Sequence, residues 1–280
     1  MSKQAIEIVA GLVDYIEQQI ANPNPAALNL SAIADAAGYS RFHLHRMFTQ
    51  VAGLPLHAYL LRRRLTEAAR LLVKSNLPLP EIALLAGYDS QQAFTAAFRA
   101  MYKLPPAAYR ERREFYPLQL PLRLYAKPEQ PAATIRWARP EDMADWLQLV
   151  RQSIAGYPHW HEAEYCRHLR ASIARQQALL IPGGNNLAAA MAFSAANGSI
   201  DFLAVQPQYR QQGLAKTLLQ KLRRDILPRQ TLFTTTFRAG DRAATGQRQA
   251  LRCLGFAESE LLLEFGYPTQ RFVLEGQNYA

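Results

Sequence analysis

The chain has 280 residues, 49% of them apolar, and a formal charge of +10, enough length and apolar content for two ordinary domains with a core each. Two cysteines, Cys166 and Cys253, are too few for a disulfide framework and fit a reducing compartment. No window approaches the ~20 apolar residues that cross a bilayer, and the first residues lack the basic flank and apolar run of a signal peptide. These features predict a cytoplasmic protein with no membrane partner. The basic excess is shared, with 13 basic against 8 acidic residues through Arg113 and 19 against 14 after it. It permits a polyanionic partner without naming one.

Residues 1–113 contain one unit written twice. Ile33-Ala34 and Gly38-Tyr39 recur 49 residues later as Ile82-Ala83 and Gly87-Tyr88. At an offset of 50, Leu44 matches Phe94, Phe48 matches Phe98, Leu54-Pro55 match Leu104-Pro105, and Tyr59 matches Tyr109. Each unit reads as a short helix, a glycine turn, and a second helix opened by Ser40 or by Asp89-Ser90, which is the helix-turn-helix plan. Helical spacing puts Leu44, Met47 and Phe48 on the inner stripe of the first recognition helix and turns Phe42, His45, Arg46 and Thr49 outward. In the second, Phe94, Ala97 and Phe98 face inward, and Gln92, Thr95 and Arg99 face outward. Arg, Gln and Thr can read base edges or hold phosphate. Leu56 to Val73 is a continuous helical pattern about 27 Å long. Such a strut can hold two recognition helices about one DNA turn (~34 Å) apart, with Arg63 expected on a backbone phosphate.

The strings Leu30-Ser31-Ala32-Ile33-Ala34, Gly38 to Phe48 (GYSRFHLHRMF) and Asp89 to Thr95 (DSQQAFT) resemble the AraC family over about residues 5–113. Within it they resemble most the subgroup of MarA, SoxS and Rob. The resemblance implies a seven-helix tandem domain that binds asymmetric double-stranded promoter DNA and contacts RNA polymerase. Position by position it places base contacts on Phe42, His45 and Arg46, and on Gln91 and Gln92. Together with Arg41, Thr49, Thr95 and Arg99 these form the candidate DNA-binding set. Ala96 stands where close relatives carry arginine, so the second helix is expected to read fewer bases.

Residues 114–133 read as a linker. Pro117, Pro121, Pro128 and Pro131 oppose a helix, and Phe115, Tyr116, Leu118, Leu120, Leu122, Leu124 and Tyr125 predict docking on a domain rather than a free tether. From 134 to 280 an α/β pattern follows: a strand Thr134 to Ala138, a helix opened by Pro140-Glu141-Asp142, strands Leu187 to Ser194 and Ser199 to Val205 about an Asn197-Gly198 turn, and a helix Gln211 to Asp225. A strand Leu232 to Arg238, a helix Ala243 to Leu254 and closing strands complete it.

The element that carries chemistry is the strand ending at Val205, then Arg210, Gln211, Gln212, Gly213, Leu214, Ala215 and Lys216 at a helix start. Unpaired amides and the helix dipole favour an anion there, small residues admit a pyrophosphate, and Arg210 and Lys216 add charge. Together with Ile135-Arg136, Arg139 to Asp142, Ile200 to Val205, Leu254-Gly255-Phe256 and the tail Glu264 to Phe272, this half resembles the GNAT N-acetyltransferase superfamily over residues 134–275. The resemblance implies acetyl-CoA or coenzyme A in a cleft between two splayed strands, held by Val205, the Arg210 to Ala215 amides and Lys216.

Asp201 is the candidate base for an amine acceptor. The usual proton-donating tyrosine, four residues before the Gly-Phe pair, is replaced by Leu251. The aromatic run Tyr157 to Glu162 reads as an interhelical loop or a pocket for a small amine or aromatic ligand. His159, His161 and His168 lack the cysteines or carboxylate cluster of a zinc site, so no metal is expected. Three functions remain open. The leading one is a DNA-binding regulator whose second domain senses a small ligand; the rivals are an active N-acetyltransferase fused to a DNA-binding domain and a catalytically dead binding module.

Overall fold

Gly38 and Gly87 sit at φ +69° and +79°, the left-handed turn that a side chain resists, and each is followed by a serine that caps the next helix. Ser40 Oγ accepts from the His43 amide at 3.3 Å, and Ser90 Oγ accepts from the Ala93 amide at 3.2 Å. The duplicated sequence is therefore duplicated geometry. The computed structural model describes residues 3–21, 30–124, 134–153, 161–184, 186–264 and 266–276. They fall into two compact units, the first helical and the second built on two antiparallel sheets.

The helical unit contains α1 (Lys3–Ala21), α2 (Leu30–Ala37), α3 (Arg41–Ala52), α4 (Leu56–Lys74), α5 (Leu79–Leu85), α6 (Gln91–Tyr102) and α7 (Pro106–Arg112). It has two cores strung on α4. Leu56, Tyr59 and Leu60 join α1, α2 and α3 around Phe48. Leu65, Ala68, Ala69 and Leu72 join α5, α6 and α7 around Phe94 and Phe98.

The expected phosphate contact at Arg63 is overturned. Arg62 and Arg63 are each 3% exposed. Arg63 binds Glu17 of α1 through Nε and Nη2, at 2.8 and 2.5 Å, and also reaches Glu67 and the Gln119 carbonyl. Burial works against its charge, but the hydrogen bond and charge of Glu17 outweigh it and raise its pKa. Helical spacing aligns Arg63 with the inner stripe of Leu56, Tyr59 and Leu60, but it cannot show the partner on α1 that makes an inward charge tolerable. Of the proline-containing segment, residues 114–124 are described. Leu118 and Leu122 are buried in the helical unit, one in each core.

The second unit begins with β1 (Arg136–Trp137), a 3-10 turn at Pro140–Asp142, α8 (Met143–Ser153) and α9 (Glu162–Ala174). Arg136 grips Asp142 with two bonds of 2.7 and 2.6 Å, and Asp142 also accepts from the Arg139 amide at 2.7 Å. Next come β2 (Ala178–Pro182), β3 (Leu187–Phe193), β4 (Ile200–Val205), α10 (Leu214–Lys221) and β5 (Leu232–Phe237). The chain closes with α11 (Gln247–Cys253), β6 (Ala257–Glu264) and β7 (Tyr267–Leu274). The sheets run β1-β2-β3-β4 and β5-β7-β6.

Three elements differ from expectation. β2 was not anticipated. It and β3 are buried on both faces, so they show no period-two alternation. The helix expected from Gln211 starts at Leu214, because Gln211 and Gly213 have φ of +65° and +77°. It gives way to a π-turn at Leu222–Ile226. Likewise the helix expected from Ala243 starts at Gln247, after Gly246 at φ +93°.

Arg63→Ala should lower the stability of the helical unit by about 3 kcal/mol, since it strands a partly buried carboxylate at Glu17. The readout is the midpoint of thermal unfolding followed by helical circular dichroism. An unchanged midpoint with weakened DNA binding would instead return Arg63 to the DNA surface.

Candidate nucleic-acid and acyl-donor sites

The second helices of the two units, α3 and α6, present unlike faces. On α3, Arg41, Phe42 and Arg46 are exposed, Phe42 to 89%, and His45 and Thr49 are half-buried. Arg41 Nη1 donates to Ser31 Oγ at 3.3 Å, and Thr49 Oγ1 donates to the His45 carbonyl at 2.8 Å. The His45 ring stacks on His57 of α4 at 5.9 Å. On α6, Gln91, Gln92 and Arg99 are exposed and Thr95 is half-buried, while the exposed Ala93 and Ala96 add only methyl groups. Phe42, His45, Arg46 and Thr49, and Gln92, Thr95 and Arg99, lie on the sides of their helices away from the core residues Leu44, Met47 and Phe48, or Phe94 and Phe98, whereas Arg41 and Gln91 open their helices three residues before Leu44 and Phe94 and are exposed at the first turn.

In the second unit, β4 and β5 belong to different sheets and share one parallel bridge, Ser199 with Phe233. The Phe233 amide donates to the Gly198 carbonyl at 3.0 Å, and Thr234 Oγ1 donates to the Ile200 carbonyl at 2.9 Å. The other edge of β4 pairs with β3, where the Gln206 amide donates to the Ala188 carbonyl at 2.9 Å. By strand alternation, Leu203 and Val205 turn their backbone groups to the β5 side. The sequence reading named Val205 and missed Leu203, because register is not visible without the partner strand.

Beyond β4 the chain makes a 3-10 turn at Pro207–Tyr209 and reaches α10 through Arg210, Gln211, Gln212 and Gly213. Tyr209 is buried and anchors the turn by donating from its hydroxyl to the Gly183 carbonyl at 2.8 Å. Arg210 is half-buried, and desolvation lowers its pKa. Gln211, Gln212, Gly213 and Lys216 are exposed, and Leu214 and Ala215 are half-buried. Gly213 caps α10, and no side chain caps it in turn. The first intrahelical bond runs from the Thr217 amide to the Gly213 carbonyl, so the amides of Leu214, Ala215 and Lys216 precede the helical ladder. A Cβ built on Gly213 meets nothing within 4 Å.

Asp201 lies at the other end of β4, on a bulge where Phe193 pairs with Ile200 and Ala192 with Phe202. Ser199 Oγ donates to its Oδ1 at 2.6 Å. Desolvation raises the Asp201 pKa, with Ser199 and the His168 charge pulling the other way. The neighbouring Phe202 packs with Trp146 and Tyr165, and Trp146 Nε1 donates to the Tyr165 hydroxyl at 2.9 Å. Leu251 is buried on α11. Cys253, two residues on, is exposed. Tyr157, His159 and Trp160 lie outside the described residues, and among the described residues no cluster of three or more His, Cys, Asp or Glu could hold a metal. Among them, too, no helix is long and apolar enough to cross a membrane.

Two capped helix-turn-helix units with outward polar faces thus stand ahead, in sequence, of a divided sheet with a glycine-led helix. A helix-turn-helix domain model matches residues 33–112, and the acetyltransferase (GNAT) family model matches residues 132–256. The activator AarP of Providencia stuartii is 39% identical over 103 residues, 37% of this chain and 73% of AarP. The multiple antibiotic resistance protein MarA of Salmonella typhimurium is 35% identical over 36% of this chain and 77% of its own length. The transcriptional regulator Rob of Salmonella typhimurium is 37% identical over 46% of this chain, a match that spans 44% of Rob. The chain belongs to the AraC-type helix-turn-helix regulators, and it carries a GNAT-family domain behind that pair.

Gly213→Ala should cost about 1 kcal/mol of stability in the second unit from its left-handed backbone alone, since its Cβ has open space. Thermal unfolding that left the midpoint in place would show that the loop relaxes to accept the methyl group.

Proposed function

We propose that this protein binds asymmetric promoter DNA through α3 and α6, and that its second domain binds acetyl-CoA or coenzyme A and reports a small ligand to the DNA-binding half. On the DNA side the reading rests on Phe42, His45, Arg46 and Thr49, and on Gln92, Thr95 and Arg99, lying on the outward faces of the two helices, with Arg41 and Gln91 exposed at their first turns. Arg46 and Arg41 supply guanidinium groups for guanine or phosphate, Phe42 an apolar surface, and Gln91 and Gln92 amides for adenine. RNA polymerase is the expected protein partner.

The observation that carries the cofactor half is the start of α10. Three amides outside the helical ladder follow a glycine with open space over its Cα, and they lie just beyond the β4 edge to which Leu203 and Val205 turn their backbone. Such a cradle fits a pyrophosphate at a helix N-terminus. The strand edge fits an extended amide chain, and Lys216 adds a cation. Acetyl-CoA, when bound, supplies an activated acyl group.

A second reading, an amine N-acetyltransferase, is favoured by Asp201. Its bulge position and raised pKa suit a base that takes a proton from an amine. Leu251 weighs against it, because a leucine donates no proton to a departing thiolate. Asp201 keeps a small amine as the expected ligand under either reading.

Arg46→Ala should weaken binding to a selected promoter duplex by roughly 1–3 kcal/mol and relax base preference in one half-site only. Unchanged footprinting would remove α3 as the reading face.

Calorimetry should detect acetyl-CoA binding to the intact chain, and Gly213→Glu should abolish it by bulk and charge. If the domain is a sensor, acetyl-CoA or an amine shifts the DNA dissociation constant, and DNA shifts the ligand's affinity by the same factor, typically 5- to 150-fold. Rapid release of free coenzyme A with amines, at a DNA affinity indifferent to every ligand, would establish the enzyme reading instead.

A further inference from the structure

The segment after α7 is built into both helix-turn-helix cores. Leu118 is fully buried and packs in the core of Ile82, Phe94 and Phe98, while Leu122 packs in the core of Leu44, Phe48 and Leu56. Between them the backbone is held by side chains of α4. The Leu118 carbonyl accepts from Arg62 Nη2 at 2.9 Å, and the Gln119 carbonyl accepts from Arg63 Nη1 at 3.2 Å. Thr66 Oγ1 accepts from both the Leu118 and Gln119 amides at 3.1 Å. The Leu122 amide donates to the Tyr59 hydroxyl at 3.2 Å, and that hydroxyl donates to Glu17 of α1 at 2.8 Å. At the other end the Tyr116 amide donates to the Tyr109 hydroxyl at 3.1 Å.

Two cores joined by one helix can bend about that helix. A second connection running beside it, fastened to each core by a leucine and to the helix by buried polar groups, removes that freedom. Groups of this kind are costly to leave unpaired, so the segment has one register along α4 rather than several. The segment is also short, extended and made of residues that gain little local structure alone, so its docking competes directly with chain entropy. Its release leaves the helices of each core in place and gives up two leucine contacts and the bonds to α4.

We propose that Tyr116–Leu122 is a clamp whose docking along α4 fixes the separation of the two recognition helices, so that docking and simultaneous occupation of two half-sites are thermodynamically linked. The inference rests on the reading of α3 and α6 as two DNA-reading heads. A duplex carrying both half-sites selects the docked state. A duplex carrying one half-site is indifferent to it, because one head needs no fixed distance to the other. The clamp leads directly into the residues ahead of the second domain, so release of the clamp is a means by which that domain can act on DNA binding without touching either reading face.

The test uses the intact chain, a bipartite duplex selected from random DNA, and the same duplex with one half-site scrambled. Hydrogen exchange at the Leu118, Gln119 and Leu122 amides should slow at least fivefold more with the bipartite duplex than with the scrambled one. Thr66→Val, which keeps volume and removes the acceptor of two clamp amides, should weaken bipartite binding about tenfold. It should leave half-site binding within twofold and the helical circular dichroism unchanged. Equal exchange with both duplexes, or equal weakening of both by Thr66→Val, would overturn the clamp while leaving DNA recognition in place. If no duplex is selected at all, the DNA-reading assignment falls and takes the clamp with it.

Discussion

The ion pair between Arg63 and Glu17 is the constraint on which the helical unit turns. It sits on the inner side of α4, where α1 crosses and where the segment after α7 lies. A guanidinium in that position has five donors to place. It places them on a carboxylate of α1, a carboxylate of its own helix and a carbonyl of the following segment. Tyr59 shares Glu17, and burial pushes its hydroxyl pKa well above the ordinary range, so it remains a donor at any physiological pH. One polar centre therefore ties together the first helix, the middle helix and the last segment of the unit. What looked like a basic strut facing a duplex is an internal fastener, and the outward chemistry is left to α3 and α6.

In the second unit the comparable constraint is a pairing that stops. β4 and β5 start side by side, and then the ladder ends, with the Thr234 hydroxyl taking the Ile200 carbonyl in place of a further strand bond. From there β4 keeps β3 on one edge and turns Leu203 and Val205 to the other. The helix that follows cannot begin until the two left-handed residues Gln211 and Gly213 have been passed. Strand edge and helix start are thus brought into sequence by local backbone geometry, and the bulge at Asp201 re-aims a carboxylate at the far end of the same strand.

Legibility from sequence followed the range of the interactions. The glycine turns, the serine caps and the outward faces of α3 and α6 are local, and the repeat displayed them twice, so they were readable down to single residues. The strut from Leu56 was equally plain. The role of Arg63 was not, because its partner Glu17 is 46 residues away, and a basic side chain was read as outward although it continues the stripe of Leu56, Tyr59 and Leu60. β2 escaped because a strand covered on both faces is a short apolar run like any other. The start of α10 was misplaced by three residues since a glutamine with positive φ carries no compositional mark. Asp201 was readable as a candidate, but Ser199 as its hydrogen-bond partner and the bulge beneath it depend on register with β3.

The duplication has a consequence for how such a regulator can change. In a two-fold dimer one codon encodes the same position of both reading heads, so a substitution alters both half-sites together, and each must drift in step with the other. Here α3 and α6 are separate stretches of one chain, already unlike: Arg46 and Phe42 on one, Gln92 and the methyl groups of Ala93 and Ala96 on the other. On the proposed reading of α3 and α6, a single substitution moves one half of the recognised DNA and leaves the other as an anchor. The target repertoire of this architecture can thus be explored one half-site at a time, with partial recognition preserved at every step.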